Sequence, residues 1–241
     1  MANKIPKDSI CVFSFNSRGF SDDKQDICRL LFTEAKTYYP VICNQENFLL
    51  KGNMYKINQC LPNARILMKP AIKSSEDGRP KNGMFIAIHK DIGTYVEDVS
   101  PTHWRIQAVL LTTPGNRLLI INSYFPTDPR INNFDSAELL NTLIALDNVL
   151  ADNDYNGVLW VGDINSDFER KTAFTKLIDT FIQEKSLQRA WEKYPIDFTH
   201  SCERDNITYV STLDHCFWSE GMSHRVVSAG VLHLVSNMSD H

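Results

Sequence analysis

The sequence predicts an α/β (α+β) fold, in which two mostly antiparallel β-sheets pack face to face and helices cover them, a sandwich of four layers. Strand-like segments outnumber helical ones, and short turns typical of hairpins join several of them. Helical segments flank strands in the second half of the chain. The run Val158-Leu159-Trp160-Val161 is apolar throughout, which indicates a strand buried on both faces of its sheet.

The first half of the chain opens with an apolar run over Ser9–Phe15 that predicts a buried strand. Apolar residues at helical spacing follow over Asp22–Tyr38, after Ser21, a residue type that caps helix N-termini. A polar loop containing glycine and proline covers Lys73–Asn82. The other expected strands here are Pro40–Cys43, 56–59, 64–68, Met84–His89 and Tyr95–Val99.

The second half contains a hairpin signal, because Pro114-Gly115-Asn116 separates two strand-like runs. The expected elements are, in order, strands Trp104–Thr112 and Arg117–Tyr124, helix Ser136–Ala151, strand Gly157–Val161, helix Arg170–Glu184, and strands Leu213–Trp218 and Arg225–Leu234. No repeat, linker or shift in composition divides the chain, so we expect a single domain over residues 1–241.

The composition is that of a globular protein, with 43% hydrophobic and 22% charged residues and a net charge of −4. It excludes a disordered, collagen-like or disulfide-scaffold chain. No apolar stretch approaches the ~18 residues of a membrane-spanning helix, and the N-terminal residues lack the apolar core of a signal peptide. The cysteines lack zinc-site spacing, and Cys11, Cys43 and Cys216 lie in apolar runs, which predicts reduced thiols in an intracellular protein.

One segment is locally basic. Between Arg65 and Lys90, six lysines and arginines outnumber two acids, a local charge of +4. Lys73, Arg79 and Lys81 are therefore candidates for contacting phosphates of a nucleic acid, contacts that orient a protein without reading sequence. A solvated surface loop is the alternative interpretation.

Polar motifs follow the apolar strands at several points. They are Asn16, Gln45-Glu46, Tyr124-Phe125-Pro126, Gly162-Asp163-Ile164-Asn165, Asp214 and the closing Ser239-Asp240-His241. Each motif alone is a weak signal, since Gly, Asp and Asn also favour turns. Side chains at several strand ends of one sandwich can converge, and convergent carboxylate oxygens suit a hard cation such as Mg²⁺. The order of the motifs therefore indicates a metal-dependent active site.

This ordered set resembles the endonuclease/exonuclease/phosphatase superfamily, which includes apurinic-site endonucleases and pancreatic deoxyribonuclease. The resemblance extends from about Ser9 to His241 and retains all six motifs in order. It implies a DNase-I-like version of the predicted sandwich and a metal-dependent phosphodiesterase. The implied cofactor is Mg²⁺ or Mn²⁺, held by Glu46, Asn16 and Asp240.

The resemblance also assigns catalytic roles to five residues. Asp163 would orient and deprotonate the attacking water, and Asn165 would donate to a phosphate oxygen. His241 would donate to the scissile phosphate, with Asp214 accepting from its other ring nitrogen. Tyr124 would donate its hydroxyl to the phosphate or to the leaving oxygen.

Within the superfamily, the chain is most similar to the apurinic-endonuclease-like domain of non-LTR retrotransposons. The similarity lies in Phe15-Asn16-Ser17-Arg18-Gly19-Phe20, in Gly78-Arg79-Pro80-Lys81-Asn82-Gly83-Met84 and in the final His241. It implies a nuclear endonuclease that nicks double-stranded DNA and leaves a 3′-hydroxyl to prime reverse transcription. It further implies a domain excised from a longer polyprotein, with a reverse transcriptase domain downstream.

The chain departs from the family pattern at three positions. Thr212 stands where a basic residue is usual, Thr127 stands where repair enzymes carry Asn, and Asn82 replaces the first glycine of a Gly-Gly pair. The alternatives are an apurinic-site repair endonuclease, a phosphatase or ribonuclease of the same superfamily, and a non-catalytic binding domain. We expect target choice to come from surface loops near 65–82 and 199–210.

Overall fold

The structure of the protein is a computed structural model that describes residues 9–33, 38–73, 75, 78–129 and 135–232. These residues form two compact units. The first contains the residues up to Val96 together with Leu232, and the second runs from Glu97 to Val231. Each unit is built on one large β-sheet. The single domain expected over residues 1–241 stays a prediction.

The first unit contains a four-stranded sheet and short helices. Its elements are β1 Ser9–Asn16, α1 Asp22–Thr33, β2 Tyr38–Gln45, a 3₁₀ helix Lys51–Asn53, α2 Tyr55–Cys60, β3 Ala64–Lys69, β4 Met84–His89 and α3 Lys90–Gly93. The strands lie in the order β1-β2-β4-β3, with β1 and β2 parallel and the other pairs antiparallel. Parallel pairing places the C-terminal ends of β1 and β2 at the same edge of the sheet.

Apolar side chains of α1 and α2 form the core of the first unit with the central strands. Cys28 of α1 and Ile57 of α2 are fully buried in one cluster with Ile42 of β2 and Phe85 of β4. Phe20 meets the ring of Phe85 edge to face, with centroids 5.6 Å apart. The helices and the sheet therefore share one apolar interior.

The strand predicted at 56–59 is wrong, because this segment lies in α2. Ile57 and Cys60 are three residues apart, and both side chains enter the core of the unit. Residues three apart share a face of a helix but point to opposite faces of a strand. The short apolar pattern was compatible with either element, and packing against the sheet decides for the helix.

The second unit contains a six-stranded sheet and a separate two-stranded hairpin. Its elements begin with β5 Val96–Asp98, β6 Ile106–Thr113, β7 Asn116–Tyr124, α4 Ala137–Asp152, β8 Gly157–Asp163, a 3₁₀ helix Phe168–Arg170 and α5 Ala173–Glu184. They continue with β9 Leu187–Arg189, α6 Ala190–Lys193, β10 His200–Arg204, β11 Ile207–Ser211, β12 Asp214–Ser219 and a 3₁₀ helix Glu220–Met222. The large sheet has the strand order β5-β6-β7-β8-β12-β9. Within it, β7 and β8 run parallel to each other.

Two helices cover one face of the large sheet in the second unit. The fully buried Trp160 of β8 lies in a cluster with side chains from α4 and α5. Its ring is 4.4 Å from the ring of Phe217, and its indole N–H donates to Ser123 Oγ at 2.7 Å. The hydrogen bond satisfies the one polar atom that this ring brings into the core.

Two further predictions for this unit differ from the structure. No strand forms over the described part of Arg225–Leu234, where the carbonyl of Val226 instead accepts a hydrogen bond from the hydroxyl of Tyr194 at 3.1 Å. The loop expected near 199–210 is largely the hairpin β10–β11. Asp205 and Asn206 both have positive φ, 52° and 60°, as a tight two-residue turn requires.

The thiols agree with the prediction of reduced cysteines. All six cysteines lie in the described ranges, and all are free. Burial raises the pKa of Cys11 to about 11 and that of Cys216 to about 12, which keeps both protonated and unreactive at neutral pH. In the ranges that the structure describes, no helix is both long and apolar enough to span a membrane.

Candidate active site

Three of the predicted catalytic side chains lie side by side in the second unit. Tyr124 ends β7, Asp163 ends β8 and Asp214 begins β12. Asp163 is directly opposite Tyr124 in the parallel pair and directly opposite Asp214 in the antiparallel pair. Residues opposite one another in adjacent strands point to the same face of a sheet. The register therefore places a phenol and two carboxylates in one row at one edge of the sheet.

A tight loop after β8 fixes the carboxylate of Asp163. Asp163 is 1% exposed, and its Oδ1 accepts a hydrogen bond from the backbone N–H of Asn165 at 2.8 Å. Asn165 has a φ of 53°, a left-handed conformation that asparagine tolerates better than most residues. Its side-chain amide donates to the carbonyl of Phe125 at 2.9 Å, which ties the loop to the chain that follows β7.

A buried threonine holds the start of β12. The Thr199 hydroxyl oxygen accepts hydrogen bonds from the backbone N–H groups of Leu213 and Asp214, both at 2.9 Å. The indole of Trp191 donates to the carbonyl of Asp214 at 3.0 Å. The backbone of Asp214 is thus fixed on both sides. The sequence does not reveal the contact from Thr199, because its prediction for residues 199–210 is a surface loop.

His215 connects the loop after β8 with the residues before β12. It is buried on the opposite sheet face from Asp214, as its position in the strand predicts. Its Nε2 lies 2.9 Å from the carbonyl of Ser166 and 3.0 Å from that of Thr212. Burial lowers the pKa of His215 to about 4. The ring is therefore neutral at pH 7, and both carbonyl contacts place its proton on Nε2, which donates to them.

We expect the stability of the protein to fall in acid because of His215. The unfolded chain takes up this proton near pH 6.5, but the folded chain does so only near pH 4. The contribution of the neutral His215 to the free energy of unfolding is therefore fully present above pH 6.5 and is lost as the pH falls towards 4. The loss is about 3 kcal/mol, at 1.36 kcal/mol per pKa unit. Urea unfolding of the wild type and of His215→Phe at pH 7 and pH 4 measures this effect. The variant should lose about 3 kcal/mol less over this range, and equal losses in the two proteins would contradict the role of His215.

A second group of predicted residues lies in the first unit, at the ends of β1 and β2. Asn16 is the last residue of β1, and Glu46 directly follows β2. The side-chain amide of Asn16 donates to Glu46 Oε2 at 2.8 Å, while its Oδ1 accepts from the backbone N–H of Arg18 at 3.0 Å. The carbonyl of Glu46 accepts from the N–H of Gly19 at 2.7 Å. The side chain of Glu46 is thus held by the last residue of β1, and its carbonyl by the loop that follows this strand.

The pair of Asn16 and Glu46 suits a hard divalent cation. Mg²⁺ commonly takes one or two protein carboxylates and keeps several waters, and Glu46 offers a half-buried carboxylate whose orientation Asn16 fixes. Among the described residues, no group of three or more His, Cys, Asp or Glu could hold a metal. Asp240 and His241 lie outside the described residues, so their roles stay predictions, as does the meeting of Glu46 with Asp163.

The three predicted DNA-binding residues are exposed in the first unit. Lys81 pairs with Ile72 in an isolated antiparallel bridge, which places Lys73 beside this bridge. The guanidinium of Arg79 lies 5.2 Å from the ring centroid of Phe48, two residues from Glu46. The basic segment is therefore joined by direct contact to the loop that carries the predicted metal ligand.

Aligned carboxylates and a phenol are groups that activate water and donate protons, as hydrolases require. Residues 13–241 match the endonuclease/exonuclease/phosphatase family, and the chain belongs to this family. Its members are hydrolytic nucleases and phosphatases. The superfamily inferred from the six sequence motifs is therefore confirmed. No individually curated protein matches the chain.

Solved structures with the same fold include nucleases of several kinds. The AP endonuclease LMAP from Leishmania major has a TM-score of 0.69 and 15% identity, over 95% of this chain and 84% of that chain. The endonuclease domain of TRAS1, a telomere-specific non-LTR retrotransposon, has a TM-score of 0.65 and 15% identity, over 95% and 94%. A 3′-5′ exonuclease, NExo, from Neisseria meningitidis has a TM-score of 0.63 and 12% identity, over 90% of each chain. These likenesses confirm the predicted fold class.

Proposed function

We propose that the protein is a Mg²⁺-dependent DNA endonuclease that nicks target DNA and leaves a 3′-hydroxyl to prime reverse transcription of a non-LTR retrotransposon. The observation that carries the proposal is the register that aligns Tyr124, Asp163 and Asp214. Family membership and the likeness to a retrotransposon endonuclease domain support it. The proposal includes a downstream reverse transcriptase domain and action in the nucleus.

The aligned side chains suit the demands of phosphodiester hydrolysis. Asp163 is held by Asn165 in a defined orientation, as a base that takes a proton from water requires. Tyr124 lies directly beside it and donates its hydroxyl to the phosphate or the leaving oxygen. Asp214, on the other side, would accept a hydrogen bond from a ring N–H of His241. Fixed groups of this kind lower the barrier because they need no reorganisation during the reaction.

Glu46 and Asn16 are the residues that would hold Mg²⁺, together with Asp240. Bound Mg²⁺ supplies charge neutralisation at the phosphate and the leaving oxygen. In this chain Asn16 keeps the Glu46 carboxylate oriented through its amide N–H, while the backbone around Gly19 holds the Glu46 carbonyl. A carboxylate that is oriented in advance loses less side-chain freedom when a cation binds.

Lys73, Arg79 and Lys81 would contact the DNA backbone, because all three are exposed cations on one segment of the first unit. Target choice would come from the segments near 65–82 and 199–210. In the second of these, Tyr209 of β11 is 50% exposed and offers an aromatic surface to a nucleic acid.

Incubation with supercoiled plasmid and Mg²⁺ tests the proposal. We expect conversion to the open circle, with no conversion in EDTA. The new 3′ ends should prime a DNA polymerase without phosphatase treatment, and the nick should be sealed by a DNA ligase, which requires a 5′-phosphate. Nicking confined to plasmid with abasic sites would indicate a repair endonuclease instead. Release of inorganic phosphate without nicking would indicate a phosphatase, and binding without cleavage a non-catalytic domain.

A further inference from the structure

A fourth residue, Arg105, lies next to the row of aligned side chains, beside Tyr124. This arginine directly precedes β6, whose first residue, Ile106, pairs with Ser123 of β7. The backbone N–H of Tyr124 donates to the carbonyl of Arg105 at 3.0 Å, so the pairing continues one step past the strand. The backbone pairing therefore brings Arg105 opposite Tyr124.

The guanidinium of Arg105 lies against two aromatic rings. Its central carbon is 3.9 Å from the ring centroid of Trp104 and 5.2 Å from that of Tyr124. Nη1 donates to the carbonyl of Tyr124 at 2.9 Å, and Nε donates to a carboxylate oxygen of Glu138 on α4 at 3.0 Å. A cation over an aromatic face is attractive, and the attraction is stronger where water is excluded. Arg105 thus holds Tyr124 through its ring and through both of its backbone polar groups.

Arg105 is buried although it is charged, which is unusual for a residue in the interior of a protein. Arg105 is 7% exposed, whereas its partner Glu138 has a side chain that is 57% exposed. Burying a charge in order to form one ion pair contributes little net stability, and an apolar residue of similar volume often serves equally well. The fork of the guanidinium does provide what an apolar residue lacks, namely directed contacts to one ring and one carbonyl.

We propose that Arg105 is a positioning residue that fixes the ring of Tyr124, so that its hydroxyl points towards the reacting phosphodiester. This role rests on the proposed function, in which Tyr124 donates that hydroxyl. Trp104 backs the guanidinium, and Glu138 anchors it to α4. Because small displacements of a catalytic group have large effects on rate, the arrangement affects turnover more than substrate binding.

A double-mutant cycle tests this inference through the single-turnover rate of plasmid nicking. Arg105→Met and Tyr124→Phe should each lower the rate by about tenfold or more, with the apparent KM changed by less than about threefold. The double variant should be no slower than Tyr124→Phe alone, within about twofold, because Arg105 acts through the hydroxyl that Tyr124→Phe removes. Arg105→Lys should recover part of the rate, since it restores the charge without the fork. Arg117→Met, at a part-exposed arginine of β7, is the matched control and should nick at the wild-type rate.

A double variant slower by the product of the two single effects would overturn the inference, since that result indicates independent or merely structural roles. Equal rates for Arg105→Met and the wild type would also overturn it. A second readout needs no catalysis: protein labelled with 3-fluorotyrosine reports the Tyr124 ring by ¹⁹F NMR, assigned with Tyr124→Phe. In Arg105→Met the ¹⁹F signal of Tyr124 should change its chemical shift, because the ring then samples several orientations. If Arg105→Met is unfolded, Arg105→Lys should show the same change. An unchanged signal would contradict the inference even if the wild type fails to nick DNA, whereas failure to nick by itself contradicts only the proposed function.

Discussion

Replacement of Asp163 with asparagine should lower the nicking rate by about 10²-fold or more, the usual contribution of a general base, while the protein stays folded. Asparagine has the shape of aspartate and keeps a side-chain oxygen. This oxygen can accept the hydrogen bond that the backbone N–H of Asn165 donates to the carboxylate in the wild type, at 2.8 Å. What it lacks is the negative charge that takes a proton from water. Single-turnover nicking of plasmid, together with the thermal unfolding midpoint, measures both parts of this expectation.

Asp154→Asn is the matched control for this substitution. Asp154 belongs to the same unit, but its side chain is 85% exposed and pairs with Arg117 at the surface. Exposed ion pairs contribute about 0–1 kcal/mol, so the control should keep both its rate and its stability. If Asp163→Asn nicked DNA as fast as Asp154→Asn, the assignment of Asp163 as the base would be wrong.

Gly162→Ala should destabilise the protein by about 4 kcal/mol or prevent it from folding. Gly162 has a φ of +145°, which side chains disfavour, and a Cβ at this position would lie 2.0 Å from the carbonyl oxygen of Ser123. The obstacle is backbone on the neighbouring strand, so β7 and β8 would have to move apart directly beside Asp163. Urea unfolding, or the yield of soluble protein if none unfolds reversibly, measures the loss.

Two other glycines separate the contributions to this effect. Gly115 also has a positive φ, +77°, but nothing lies within 4 Å of an added Cβ, so Gly115→Ala should cost about 1 kcal/mol from backbone strain alone. Gly221 has open space and no positive φ, and Gly221→Ala should change stability by less than about 0.5 kcal/mol. A loss in Gly162→Ala no larger than that in Gly115→Ala would contradict the predicted clash.

Much of the fold could be predicted because apolar runs and periodicity reflect burial directly. The sequence motifs located Tyr124, Asp163 and Asp214 at strand ends, and the observed register explains why these three distant positions lie together. Their catalytic roles stay predictions. The sequence pattern predicts a strand at 56–59, where the structure has α2, because a short apolar segment is compatible with a helix as well as a strand. The packing of Ile57 and Cys60 on one face selects the helix.

Arg105 and Thr199 could not be found from spacing along the chain. Their contacts with Tyr124 and Asp214 exist only because strands far apart in sequence pair, and such pairing leaves no local periodicity. One signal was nevertheless present for Arg105, a charged residue directly before the buried strand β6. A charged residue next to a buried strand is seldom buried without a partner, so this position indicates that Arg105 is paired.

The aligned row also sets the length of chain that must be synthesised before the candidate site can form. Tyr124, Asp163 and Asp214, with Arg105 beside them, come from positions spread over nearly half of the sequence, and Asp214 begins the last of the described strands. Contacts between residues so far apart form after local ones. A polypeptide still being synthesised therefore cannot align Tyr124 and Asp163 with Asp214 until residue 214 has left the ribosome, so the candidate site forms only after β12 has been made.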